Sequence, residues 1–310
     1  MAGIISAVLQ VTLITIVSVE FIIGSLGNAF MAVVNIVRWV KRGRISAVDQ
    51  ILTALAISRT SFLFILITSL LEILLDPASV EKRIIMYTIP WTVTNHFSVW
   101  LATCLSIFYF LKIANFSNSI FLALKRKAKK VVSVTLVVSL IILFLNIIVI
   151  NILRDRSKVN TPYWSSSNNT LKVYELFLFT NTMFTLIPFT VTLITFLLLI
   201  FSLWRHLRNM QHDEGGFRDV STAAHIKSLQ SIVTFLLLYT VFVMSLLLQT
   251  WNISFQQKNL TVLVLRSTGI AFPSVHSCVL ILGNSKLRQA SFSMLWWLRC
   301  KYKYTENGGP

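Results

Sequence analysis

The chain has 310 residues, of which 55% are hydrophobic and only 13% are charged, and its formal net charge is +17. A soluble core could not bury that much apolar surface, so the composition excludes an ordinary globular domain and predicts a membrane protein. The basic residues punctuate apolar stretches, which favours a role in topology and in contact with anionic lipid over nucleic-acid binding.

Seven apolar stretches are long enough to cross a bilayer as helices. The sequence therefore predicts an all-α membrane protein, with a seven-transmembrane helix bundle over residues 1–285 and an amphipathic helix and cytoplasmic tail over 286–310. The spans lie near residues 6–37, 48–75, 84–112, 131–153, 173–204, 227–252 and 260–285.

The distribution of positive charge predicts how these spans are oriented. Most of the 28 Lys and Arg residues fall in the inner segments if the N-terminus is extracellular and the C-terminus is cytoplasmic. The positive-inside rule favours that arrangement in a plasma-membrane protein. The sequon at Asn168 (NNT) then falls in the second outer loop, where it predicts N-glycosylation.

The second span carries an arginine, Arg59, about midway between its ends. Because an arginine at the centre of a membrane costs about 2.5 to 3.5 kcal/mol on insertion scales, it must face the bundle interior and bind partners there. Candidate partners are Asn28 on the first span and His276 or Ser277 on the seventh. Two interpretations stay open, a static clamp between helices and a switch that changes partners between two receptor states.

The third span has polar and aromatic residues near its outer end and a basic segment after its inner end. Trp91 and Asn95 are four residues apart and share one helix face, with His96 at similar depth. They indicate either a ligand site or an interfacial tryptophan beside an interhelical hydrogen bond. The segment FYFLKIANFSNSIFLALKRKAKK, which starts at Phe108, ends in a basic cluster typical of a cytoplasmic loop.

The fifth and seventh spans each contain a proline, Pro188 and Pro273, which we expect to kink them. Arg266 lies about two turns inside the seventh span, where it either extends to water or lines an outward-facing cavity. We favour the cavity because Trp91, Asn95 and His96 lie at a similar depth.

The segment after the seventh span, NSKLRQASFSMLWWLRCKYKY, mixes basic and aromatic residues and predicts an amphipathic helix on the inner membrane surface. Cys300 within it is either a plain thiol or a lipidated one. The sequence contains no catalytic motif and no metal-ligand spacing, so we expect no enzyme activity, cofactor or metal. A transporter or channel would be expected to have paired interrupted helices or an acid-lined path, which the sequence also lacks.

Seven spans followed by an inner amphipathic helix resemble a G-protein-coupled receptor. The third span nevertheless ends in FYFLKIANFS in place of an acidic-Arg-Tyr triplet, and the seventh has PSVHSCVLILGN in place of Asn-Pro-x-x-Tyr. These departures resemble the bitter taste receptors, the type 2 taste receptor family. The matching segments are EFIIGSLGN, DQILTALAISR, NHFSVWLATCLSIFYFLKIANFSNSIFLALK, IPF, FLLLY and HSCVLILGNSKLRQA.

This resemblance implies a receptor that binds small bitter compounds and activates gustducin, a transducin-like (Gi-like) heterotrimeric G protein, leading to phospholipase C and calcium signalling. It also implies contact with membrane lipid, with a sterol as one candidate. The ligand-binding positions correspond to Trp91, Asn95, His96, Phe242, Leu246 and Arg266, and those for switching and G-protein coupling to Arg59, Tyr109, Lys112, Tyr239 and His276. A pheromone-type chemosensory receptor with the same fold is the nearest alternative.

Overall fold

A computed structural model of the protein describes residues 2–75, 80–114, 116–159, 166–212, 218–251 and 259–306, and within these ranges the chain forms nine α-helices and no strand. Seven of the helices are long and apolar enough to cross a membrane, which confirms the predicted seven-helix bundle. They are α1 (Ala2–Arg42), α2 (Ala47–Leu75), α3 (Val80–Ile113), α5 (Ala128–Val159), α6 (Ser166–His212), α7 (Arg218–Trp251) and α8 (Asn259–Gly283). The other two are α4 (Ser119–Arg126) and α9 (Ser285–Glu306).

The bundle turns large apolar side chains outward as well as inward. Phe144 on α5 is 65% exposed, and further exposed side chains include Val11, Leu26, Leu197 and Val241. Such a surface would be costly in water but is suited to lipid tails, because these are as apolar as the side chains themselves. The interior also contains buried polar side chains, among them the functional candidates Arg59, Asn95, His96 and His276.

Helices α1 and α8 approach one another closely at Gly24. A Cβ atom added to Gly24 would lie 2.1 Å from Ser274 Oγ and 2.9 Å from Leu63 Cδ1. The same atom added to Gly27, on the next turn of α1, would lie 3.7 Å from Ile281 Cδ1, an ordinary contact distance. The close packing of α1 against α8 therefore requires glycine at position 24 and not at position 27.

The segment between α3 and α5 is ordered by local contacts. Lys125 Nζ donates a 2.8 Å hydrogen bond to the carbonyl oxygen of Ala114, just beyond the end of α3. Asn118 caps α4 by accepting a 2.9 Å hydrogen bond from the backbone N–H of Ile120. The ring of Phe121 packs 5.5 Å from that of Phe110. The basic segment after the third span thus contains a short helix attached to the end of α3.

Helix α9 is joined to the start of α2 by an ion pair. Lys286 Nζ lies 3.6 Å from Asp49 Oδ2, and the Asn284 side chain accepts a 3.0 Å hydrogen bond from the backbone N–H of Lys286. Beyond this attachment α9 exposes large apolar side chains, among them Phe292, Leu295, Trp296 and Trp297, together with Cys300. Exposed aromatic residues beside basic ones are typical of a helix that lies on a membrane surface.

Candidate functional site

Trp91, near the predicted outer end of α3, belongs to a layer of aromatic rings. Its ring centroid is 6.1 Å from that of Phe62 on α2 and 5.5 Å from that of Phe177 on α6. Tyr174, one turn before Phe177, lies 6.2 Å from the Phe177 ring. Trp91 and Tyr174 are only partly buried. We call Phe62, Trp91, Tyr174 and Phe177 the aromatic layer.

One turn deeper than the aromatic layer, four polar side chains link α3, α6 and α5. Asn95 Nδ2 donates to Thr185 Oγ1 at 3.4 Å, and Thr185 Oγ1 donates to the backbone carbonyl of Asn181 at 2.7 Å. Asn146 Nδ2, on α5, donates to Asn181 Oδ1 at 3.3 Å. We call Asn95, Thr185, Asn181 and Asn146 the amide chain. Because all four are buried, these contacts are made away from solvent.

Asn95 and His96 are neighbours in the sequence but contact different helices. Asn95 contacts α6, whereas the His96 ring lies near the backbone of Ser139 on α5 and 5.8 Å from the ring of Trp100. The difference follows from the 100° rotation between consecutive helical residues. His96 therefore lies beside the amide chain and is not part of it.

A buried column of aromatic rings runs through the middle of the bundle. Phe242 and Tyr239 on α7 stack with Phe272 on α8, with ring centroids 5.0 Å apart for Phe242 and 5.3 Å apart for Tyr239. Phe189 on α6 packs edge-on against Tyr239 at 5.2 Å. Leu246 is buried one turn from Phe242 on the same helix. The structure thus stacks two of the three sixth-span candidates, Phe242 and Tyr239, on Phe272, and we call these three rings the aromatic column.

The hydroxyl group of Tyr239 is a buried polar atom inside this column. It lies near Thr103 on α3, but it has no hydrogen-bond partner among the described residues. Thr103 Oγ1 already contacts Thr192 Oγ1 at 2.8 Å, beside Pro188. A buried hydroxyl without a partner is unfavourable by about 1 to 3 kcal/mol.

Arg59 is fully buried beside Phe272, at one end of the aromatic column. Together with its partners it connects three helices. Its Nη1 donates to Ser277 Oγ at 3.2 Å, and its Nη2 contacts His276 Nδ1, so both predicted seventh-span partners are in place. Ser277 Oγ in turn lies 2.8 Å from Asn28 Oδ1 on α1. The guanidinium carbon is 5.5 Å from the Phe272 ring. We call Asn28, Arg59, His276 and Ser277 the arginine clamp.

Tyr109 and Lys112 lie near the end of α3, at some distance from the arginine clamp. Tyr109 is partly buried and lies near the side chain of Asp49. Lys112 is exposed, with its Nζ 5.8 Å from the Phe108 ring. Asp49 precedes Arg59 by ten positions on α2, which corresponds to about 15 Å along the helix. The charge that neighbours Tyr109 is therefore Asp49, which the sequence analysis did not single out.

Two predicted site residues have side chains outside the described part of the structure. Arg266 lies within α8, and Asn168 lies in the first turn of α6, whereas the sequence predicts a loop at Asn168. The backbone of the sequon is helical because α6 begins at Ser166, several residues before the predicted start of the fifth span. Gly215 and Gly216, whose sequence favours a turn between the fifth and sixth spans, lie outside the described residues.

The structure also adds residues that the sequence analysis missed: Phe272 in the aromatic column, and Asn146, Asn181 and Thr185 in the amide chain. The sequence held one indication of them, because an asparagine inside an apolar span, such as Asn146, must find a buried partner. Among the described residues no group of His, Cys, Asp and Glu side chains is arranged to hold a metal ion.

Comparison with known proteins gives consistent matches over nearly the whole chain. A family model described as "Taste receptor protein (TAS2R)" matches residues 5–299. Taste receptor type 2 member 103 of Mus musculus is 68% identical over 308 residues, which cover 99% of each chain. The protein of the same name from Rattus norvegicus is 63% identical, with 98% of each chain covered. Taste receptor type 2 member 14 of Macaca mulatta is 51% identical over 100% of this chain and 98% of its own.

Proposed function

The chain belongs to the type 2 taste receptor family, and from that membership we propose how it recognises a ligand and passes the signal across the membrane. Membership makes it a bitter chemosensory receptor, a multi-pass membrane protein of the G-protein-coupled class and not an enzyme. Small-molecule ligands and coupling to a G protein follow from the family in general terms. The site, the G protein and the orientation are our proposals.

In the proposed arrangement a bitter compound enters an outward-facing cavity between the helices. The candidate lining residues are Trp91, Asn95, His96, Phe242, Leu246 and Arg266. Support comes from the aromatic layer, in which the partly buried rings of Trp91 and Tyr174 offer an apolar face to a ligand, and from the buried amide groups one turn deeper. A mostly apolar site with a few placed polar groups is the usual form of a small-molecule site.

Replacing Trp91 by alanine should lower agonist potency about three- to tenfold, because an aromatic contact contributes roughly 0.5 to 1.5 kcal/mol beyond its buried area. The measurement is the calcium response of cells that carry a promiscuous G protein, after a screen of bitter compounds has supplied agonists. Phe144→Ala is the control, since that ring is 65% exposed on the lipid side of α5 and should not affect potency. If Trp91→Ala and Arg266→Ala both left potency and maximal response unchanged for every agonist, the cavity would be elsewhere.

The single observation that carries the proposed mechanism is the continuous contact from Phe242 through Tyr239 and Phe272 to Arg59. An agonist that contacts Phe242 in one helix arrangement more favourably than in another shifts the equilibrium between them. A packed column transmits such a shift because its members cannot move independently. The column ends at the arginine clamp, which joins α1, α2 and α8.

Tyr239→Phe should lower the maximal response and raise the thermal stability of the ligand-free receptor. We propose that the Tyr239 hydroxyl, without a partner among the described residues, pairs with Thr103 only in the signalling arrangement. Its removal would favour the arrangement described here by about 1 to 3 kcal/mol, the usual penalty of an unpaired buried hydroxyl. Calcium signalling at matched surface expression and thermal unfolding of purified receptor are the two measurements. Wild-type values in both would refute this role.

On the inner side we propose that gustducin, or another transducin-like G protein, docks near Tyr109 and Lys112 and leads to phospholipase C and calcium signalling. Support comes from the partly buried Tyr109, the exposed Lys112 and the exposed basic residues that follow α4. Positive charge on the inner loops would steer an acidic partner surface. This orientation has an extracellular N-terminus and a cytoplasmic C-terminus, and it makes Asn168 available for glycosylation. Lipid, including a sterol, would cover the exposed apolar faces.

A further inference from the structure

The amide chain contains two buried oxygen atoms that no described group satisfies. Asn95 is 3% exposed and Asn146 is 2% exposed. Asn95 Oδ1 and Asn146 Oδ1 each lack a hydrogen-bond partner within the part of the chain that the structure describes. Buried amide oxygens are almost always paired, so two unsatisfied ones at the ends of one chain call for a physical explanation.

The hydrogen-bond directions show that the free atom of Asn95 is an acceptor. The hydroxyl proton of Thr185 is used in the 2.7 Å bond to the carbonyl oxygen of Asn181. Thr185 Oγ1 can therefore only accept from Asn95, which must present its amide nitrogen at 3.4 Å. Flipping the Asn95 amide would place two acceptors against each other. The carbonyl oxygen of Asn95 is thus the atom left free.

The same reasoning applies to Asn146 on α5. Asn181 Nδ2 donates a 3.0 Å hydrogen bond to the carbonyl oxygen of Phe177, one turn earlier on α6. Asn181 Oδ1 is therefore the atom that faces Asn146, and Asn146 must present its amide nitrogen to it at 3.3 Å. This leaves the carbonyl oxygen of Asn146 free. Each end of the amide chain consequently has an unpaired acceptor oxygen, whereas its amide nitrogen already donates one hydrogen bond.

The two free oxygens lie beneath the aromatic layer. Trp91 is one turn from Asn95 on α3, and Phe177 is one turn from Asn181 on α6, with the two rings 5.5 Å apart. Thr185 and Asn181, which hold the two asparagines, are also one turn apart, or about 6 Å along α6. A molecule that packs against the aromatic layer would therefore reach the acceptors with a polar group on its inner edge.

We propose that Asn95 and Asn146 form a donor-selective subsite between α3, α5 and α6, which binds a hydroxyl, amide N–H or ammonium group of the agonist. This inference rests on the proposed ligand cavity and adds to it a fourth-span residue and a ligand class. Compounds that carry only acceptors at this edge, such as ethers or carboxylates, bind poorly because they leave the buried oxygens unpaired. Specificity of this kind comes from penalising the wrong partner.

The test uses pairs of agonists that differ only by methylation of one hydroxyl or amide N–H, assayed on full-length receptor by calcium response at matched surface expression. On the wild type, the donor compound should be about tenfold more potent than its methylated partner. Asn146→Leu should weaken the donor compound about five- to tenfold and leave the methylated one nearly unchanged. Asn151→Leu is the matched control, because both polar ends of Asn151 are used locally, with Ile147 and Arg154.

A second variant and the potency ratio guard against simple misfolding, because the ratio of two potencies on one receptor does not depend on how much receptor folds. Asn95→Leu removes the other unpaired oxygen and should also reduce the roughly tenfold ratio to about twofold or less. The proposal is overturned if donor and methylated compounds are equally potent on the wild type, or if neither variant changes their potency ratio. If the ratio is unchanged while Trp91→Ala still lowers potency, the cavity stands and the donor subsite fails. If Trp91→Ala and Arg266→Ala also have no effect, the cavity itself is wrong.

Discussion

Gly24→Ala should sharply reduce the amount of folded receptor at the cell surface, whereas Gly27→Ala should leave it close to wild type. The alanine methyl at position 24 would lie 2.1 Å from Ser274 Oγ and 2.8 Å from Ser274 Cβ, so α1 and α8 must separate or tilt. Overpacking of this kind costs about 1 to 3 kcal/mol or more, a large share of the roughly 5 to 15 kcal/mol that stabilises a typical domain. Surface immunolabelling and thermal unfolding of purified receptor give the measurement.

The Gly27 variant is the control, because both substitutions add one methyl to the same helix and only one of them meets a close neighbour. Helix propensity alone would make either change slightly stabilising, by up to about 1 kcal/mol. Ser274→Gly combined with Gly24→Ala should restore part of the surface expression, since it removes the two nearest atoms. Equal surface expression of the two single variants would refute the close packing of α1 against α8 at Gly24.

Arg59→Met should abolish most signalling and also reduce the stability of the receptor. The side chain is fully buried and holds His276 and Ser277 on α8 from its position on α2. Each hydrogen bond to a charged group contributes about 1.5 to 3 kcal/mol, and its loss also leaves the buried partner unpaired. Ser277→Ala should have a smaller effect, because Arg59 keeps its contact with His276. The measurements are thermal unfolding, surface expression and calcium response.

The same variants separate the two interpretations of the arginine clamp. A static clamp predicts that Ser277→Ala lowers stability while the response per surface receptor stays the same. A switch predicts a change in basal or maximal response at equal surface expression, since the two receptor states would differ in how Arg59 is paired. Wild-type stability and signalling in Arg59→Met would contradict both.

The arginine clamp shows how far reasoning from the sequence can reach. An arginine within an apolar span must find buried partners, and the polar residues of the first and seventh spans were few enough to consider individually. The structure brings His276 and Ser277 into contact with Arg59, and Asn28 joins through Ser277. Prediction succeeded here because the cost of burying a charge leaves few alternatives.

The amide chain and the aromatic column were harder to predict. Asn146 lies in a span that is otherwise generic apolar sequence, and Phe272 is one of 22 phenylalanines in the chain. Nothing along a single helix distinguishes a phenylalanine that contacts lipid from one that stacks on Tyr239. His96 illustrates the same limit, because its depth suggested a place beside Asn95 whereas its ring faces Ser139 on α5.

The sequence by itself determined the seven apolar helices, their predicted orientation and the presence of a buried arginine, because insertion depends on the length, hydropathy and charge of each segment separately. The tertiary structure decided which side chains meet across helices, including the stacked column from Phe242 to Phe272 and the direction of each hydrogen bond in the amide chain. Those contacts depend on how each helix is rotated and shifted against its neighbours. Rotation and shift result from the packing of all helices together, so no single segment encodes them.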